Sequence, residues 1–141
     1  MQPIRIFASF DRDRDGDLHE LLTRQSRSAD SPFEVADWSG RVACAPTEEG
    51  DASLDGRLER VDALIVLCGE RTESSVGVSR ELRAAQGLRK PYFMIWGRRE
   101  LTCTKPVGAK SGDSMYTWIW ALLKFQLGLE IRKGGARSDS A

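Results

Sequence analysis

Histidine is nearly absent from this chain: His19 stands alone among 141 residues. Any serine-histidine or cysteine-histidine mechanism would have to run through it, and it sits among charges where a helix is expected to begin, so we read it as a surface residue. The cysteines Cys44, Cys68 and Cys103 are odd in number and far apart. That excludes a disulfide framework or a zinc site by spacing and suits a reducing compartment. There is no excess of either charge, with 21 acidic and 21 basic residues, so no global field drives the chain onto nucleic acid or an anionic membrane. No apolar run is long enough to cross a bilayer, and no signal-peptide layout opens the chain. The expected protein is cytoplasmic, with no membrane or nucleic-acid partner.

What is present is an alternation of strand and helix patterns. "RIFASF" ends a strand expected over residues 4–10, and Leu18, Leu21 and Leu22 follow at helical spacing in a helix ending near Arg24. "PFEVADW" reads as a second strand. The polar stretch from Ser39 to Gly56 reads as a loop, followed by a short helical turn at "RLERV". "DALIVLCG" is the clearest strand, with the continuous apolar run that a central parallel strand needs. A helix through "SVGVSRELRAAQGL" carries Val78, Leu82 and Ala85 on one stripe. "PYFMIWG" is a fourth strand, "SMYTWIWALLKFQLGLEI" a final helix, and "RKGGARSDSA" a tail whose composition points to disorder. The expected fold is α/β: a single flavodoxin-like, three-layer, doubly wound parallel-sheet domain over residues 1–127, with residues 128–141 as its C-terminal end and tail.

In such a fold, ligands bind beyond the carboxyl ends of the strands. The first loop there, "DRDRDGDLHELL", mimics a calcium loop, but its twelfth residue is Leu22 where a bidentate glutamate belongs, and a strand precedes it. It reads instead as an acidic turn, and no metal is expected. A phosphoacceptor receiver domain would need an aspartate at the end of the third strand, where Cys68 and Gly69 stand; the Lys105 and Pro106 pair is insufficient without it. A flavin or dinucleotide carrier would need a glycine-rich loop, and Gly16 alone does not make one. The clusters "ERTES" and "GRRE" read as solvated loops.

The stretch from Val66 to Leu82 resembles the bacterial TIR-like family (Toll/interleukin-1 receptor-like), especially the branch found in Thoeris antiphage systems. The matching features are "VLCG", Thr72, Ser75, the Gly77 and Val78 pair and Glu81, together with "RIFASFDRDRD" at the first strand. The family usually has tryptophan where this chain has Gly77. The resemblance implies an enzyme that cleaves the nicotinamide-ribose bond of NAD⁺, with NAD⁺ as substrate and no cofactor, and makes a linear or cyclic signal derived from ADP-ribose. It implies that Glu81 is the catalytic carboxylate, holding the ribose hydroxyls and facing the developing cation. One carboxylate suffices because nicotinamide leaves without needing a proton. Ser9, Phe10 and Asp11 would line the opposite side of the substrate pocket, with Thr72 and Ser75 nearby.

Read without the resemblance, these residues keep second roles. Glu81 could be a solvated helix residue, Phe10 could pack inward, and Thr72 or Ser75 could cap a helix. A non-catalytic scaffold acting through protein contacts is the alternative function, and Gly77 is the feature that favours it. Tyr116, Trp118 and Trp120 suggest a buried or interface helix, hence a homo-oligomer or a contact with a separate effector chain that responds to the nucleotide product.

Overall fold

The computed structural model describes residues 4–36 and 48–139, and the side chains of residues 4–36 and 54–131. The expected end of the second strand at Asp37 and Trp38 and the loop carrying Cys44 lie outside the described residues. Five parallel strands, β1 (Ile4–Ser9), β2 (Phe33–Val35), β3 (Ala63–Cys68), β4 (Tyr92–Trp96) and β5 (Met115–Thr117), form one sheet in the order β2-β1-β3-β4-β5. This is the doubly wound, flavodoxin-like order, with its switch point between β1 and β3.

The period-two pattern of the strands sorts side chains onto two cores. Ile6, Ala8, Ile65, Leu67, Phe93 and Ile95 face one side, where Leu18 and Leu22 of α1 (Gly16–Ser26) and Leu123 and Leu127 of α4 (Trp120–Asp139) cover them. Phe7, Leu64, Val66, Cys68 and Met94 face the other, covered by Leu54 and Leu58 of α2 (Glu48–Glu59) and by Val78, Leu82 and Ala85 of α3 (Val76–Gly87). Every residue of β3 is fully buried, as a central strand with helices on both faces must be.

Three elements depart from the sequence reading. α2 starts at Glu48, well before the short turn expected at Arg57, because Leu54 and Leu58, four apart, give it a buried face despite its two internal glycines, Gly50 and Gly56. Residues 115–117 form β5 where the final helix was expected to begin, pairing Met115, Tyr116 and Thr117 with Met94, Ile95 and Trp96. The spacing of Tyr116, Trp118 and Trp120, all packed against the first core, is this strand period continuing to the helix start. α4 runs on through residues 132–139, where composition pointed to a tail; extending an existing helix costs far less than nucleating one. Among the described residues no helix is long and apolar enough to cross a membrane.

Candidate functional site

Ser9 closes β1 beside Val66 of β3, so it stands at the switch point itself. By strand alternation it points to the face that carries Phe7, toward α3. There its Oγ donates a 2.7 Å hydrogen bond to Oε1 of Glu81. Glu81 is 1% exposed, a carboxylate set in the apolar stripe formed by Val78, Leu82 and Ala85 on the inner face of α3. Val78 and Leu82 are fully buried and fix the helix to the sheet, so the carboxylate is placed by rigid elements on both sides.

The second carboxylate oxygen accepts a 3.4 Å charge-assisted bond from Nη2 of Arg12, whose side chain is 31% exposed and whose guanidinium lies 5.3 Å from the Phe10 ring centre. Burial pushes the Glu81 carboxyl above its ordinary range; the charge of Arg12, the bonds from Ser9 and Arg12, and the charge of Arg57 on α2 pull the other way. The arrangement is a buried carboxylate, fully hydrogen-bonded, with two arginines near it. It can accept hydroxyl hydrogens or stabilise an adjacent cation once Arg12 gives way.

The other expected site residues divide. Phe10 turns inward, 6% exposed, and stacks on His19 with ring centres 4.6 Å apart, so the packing role is the one seen. Strand alternation explains this, because Phe10 and Ser9 leave β1 on opposite faces. His19, read as a surface residue, is half-buried by the same stack. Asp11 is buried and organises the turn after β1: its carboxylate accepts from the Asp13 N–H at 3.0 Å and from Arg14 at 3.3 Å. Thr72 is fully buried and accepts the Gly69 N–H at 2.8 Å, shaping the loop after β3. Ser75 is the N-cap of α3, accepting the Val78 N–H at 3.2 Å. It lines a cleft of about 610 Å³ with Leu54, Val76, Arg80 and Arg83, and Glu81 is not in the walls of that cleft. The structure therefore brings Ser9 and Glu81 into contact and places Phe10, Asp11, Thr72 and Ser75 in scaffolding positions around them.

A third buried carboxylate, in addition to Glu81 and Asp11, lies on the same rim. Asp15, 2% exposed, takes a 2.9 Å bond from Arg98, which also binds Asp17 through two nitrogens at 2.9 and 3.0 Å and the Arg14 carbonyl at 3.1 Å. Its other oxygen, Oδ2, has no hydrogen-bond partner and presses on Gly69, where an added Cβ would run into the carboxylate. Burial raises the Asp15 carboxyl, and Arg98 only partly offsets it. Arg98 and buried Thr72 are the exceptions within "GRRE" and "ERTES", where Glu70, Arg71, Glu73, Arg99 and Glu100 are exposed as expected of solvated loops. Three aspartates of the opening loop, Asp11, Asp15 and Asp17, are paired with arginines of this chain. Among the described residues, no group of three or more histidine, cysteine, aspartate or glutamate side chains could hold a metal ion.

Sequence reasoning missed Arg12, Asp15 and Arg98. No periodicity marks arginines that reach across loops, whereas Glu81 carried a visible signal: it interrupts an apolar helical stripe. A family model described as Thoeris protein ThsB, TIR-like domain, matches residues 7–100, which is more than half of the chain and includes Ser9, Arg12 and Glu81. No curated protein matches the chain.

Proposed function

The chain belongs to the Thoeris ThsB family of TIR-like antiphage-defence domains, and we propose that it cleaves NAD⁺ at the nicotinamide-ribose bond with Glu81 as the essential carboxylate. The observation that carries this reading is Glu81 itself, 1% exposed at the switch point and bonded to Ser9 at 2.7 Å. Burying a carboxylate is expensive, and a sequence that keeps one in an apolar stripe has a use for it.

The chemistry asks little beyond that charge. The bond between ribose C1′ and the pyridinium nitrogen breaks with its electron pair going to nicotinamide, which leaves neutral. The ribosyl centre left behind has oxocarbenium character and is stabilised by the adjacent carboxylate. Water then adds to C1′ and loses a proton, giving ADP-ribose; an internal nucleophile in place of water gives a cyclic product. Ser9 holds one Glu81 oxygen in place, and Leu82 and Val78 hold the helix.

A non-catalytic scaffold is the second reading, favoured by the missing aromatic at Gly77. Phe125 and Ile119, apolar and exposed on and beside α4, support a role for that face in a homo-oligomer or in contact with an effector chain.

The test is nicotinamide release from NAD⁺ by concentrated protein, with products separated by chromatography, beside Glu81→Gln. We expect release that falls by at least about 10²-fold in the variant, the usual loss when one preorganised electrostatic group is removed. Folded wild type that releases none would move the balance to the scaffold.

A further inference from the structure

Both oxygens of Glu81 are occupied in this structure, one by Ser9 and one by Arg12. A carboxylate in that state has little capacity left for a ribose hydroxyl, so a substrate can engage it fully only if one partner withdraws. Ser9 is fully buried at the end of a central strand, where giving up this bond would leave its hydroxyl buried without this partner. Arg12 can: its bond is long at 3.4 Å, its side chain is 31% exposed, and among the described residues the other contact of its guanidinium is the weak attraction of the Phe10 ring. Arg57 on α2 adds a smaller favourable charge to Glu81 than Arg12 does.

We propose that Arg12 is a specificity-determining residue that covers Glu81 and moves to the diphosphate of an incoming dinucleotide, so that only a ligand with a diphosphate both opens the site and is held in it. The inference rests on the NAD⁺ reading of the same site and names what selects the substrate there. The physical logic is an exchange of partners. A guanidinium bound to one carboxylate oxygen gains a bidentate, doubly charged acceptor, and the carboxylate gains ribose hydroxyls and an adjacent pyridinium cation. A nucleoside without the diphosphate offers Arg12 nothing in return for leaving Glu81. It must bind against the latch.

The test is binding, which does not depend on turnover. Calorimetric titration of ADP-ribose and of nicotinamide riboside into wild type, Arg12→Gln and Arg12→Lys, each with its melting curve, separates the contributions. We expect wild type to bind ADP-ribose, Arg12→Gln to bind it about tenfold or more weakly, as loss of a charge-assisted contact implies, and Arg12→Lys to recover part of the loss. Nicotinamide riboside should bind Arg12→Gln at least as well as wild type, because the latch is gone. Arg12→Gln that is folded by its melting curve and binds ADP-ribose with unchanged affinity overturns the proposal, as does wild type that binds no ADP-ribose. Wild type that binds ADP-ribose through Arg12 yet releases no nicotinamide from NAD⁺ would support this inference while removing the catalytic one.

Discussion

Of the buried carboxylates at the rim of the sheet, Asp15 and Glu81 each meet an arginine from beyond their own turn, and the two pairs are built to opposite ends. Asp15 meets Arg98, a guanidinium tied down by two carboxylates and a backbone carbonyl, and one Asp15 oxygen is left with no partner against Gly69. Glu81 meets Arg12, which makes one long bond and stacks loosely on Phe10, while both Glu81 oxygens are satisfied. The first pair staples the loop after β1 to the loop after β4, and everything about it is fixed. The second leaves its cation free to go. The same residue types give a strut in one place and a latch in the other, and what separates them is how many other anchors the arginine has.

The largest expected effect breaks this comparison through stability. Arg98→Ala strips Asp15 of the one cation paired with it among the described residues and leaves a buried charge uncompensated; we expect a loss of about 3 kcal/mol, the low end for a broken buried pair because Arg98 keeps part of its side chain in water. Arg12→Gln should cost clearly less, about 1 kcal/mol, since Ser9 and Arg57 still serve Glu81 and the Arg12 pair is partly exposed. Urea unfolding of the two variants measures both. Equal losses would mean that Arg12 is as structural as Arg98.

A smaller effect sharpens the comparison through pH. The Glu81 carboxyl is raised by burial, so the folded protein holds the Glu81 proton more tightly than the unfolded chain does. Its contribution to stability is therefore fully present below the unfolded value, is lost as pH rises through the folded value, and stays lost above it. Glu81→Gln does not titrate. Its melting temperature should equal or exceed that of wild type at pH 8, and the advantage should shrink as the pH falls toward 4.5. Asp15 shifts in the same direction but titrates in both proteins, so the difference isolates Glu81. A variant that melts well below wild type at pH 8 would show that the charge of Glu81 supports the fold and is not a cost carried for chemistry.

The sheet was legible because its central strands are unambiguous: "ALIVLC" is apolar throughout, and "IFAS" and "FMI" sit between clear breakers, so order and parallel crossovers follow. The edges were harder. β5 has three residues and joins straight into α4, so its period of two was submerged in a longer apolar segment, and α2 hid behind two glycines and many acids. At the site, Glu81 and Ser9 were each legible from the motif, on opposite sides of the expected pocket, but their direct hydrogen bond was not, and Phe10 was not separable from its packing role until the strand phase was fixed. Arg12 and Arg98 had no signature at all. Their roles depend on distances across loops, from Arg12 to Glu81 and from Arg98 to Asp15, which sequence spacing does not encode.

The smallest effect concerns Gly77, one turn ahead of Glu81 on α3. Its backbone does not need glycine: no positive φ is found there, and an added Cβ would meet nothing within 4 Å. On helix propensity alone, Gly77→Ala should stabilise the protein by about 0.5–1 kcal/mol, partly by restricting the unfolded chain. A glycine that costs this much at a half-buried position with room for a Cβ calls for a reason outside the fold, and the latch supplies one if the substrate passes over that turn to reach the carboxylate. Gly77→Ala is then expected to be more stable in urea yet weaker for ADP-ribose. A variant that gains stability with affinity unchanged would leave Gly77 a neutral departure from the family's tryptophan, and selectivity at this rim would rest on Arg12 alone.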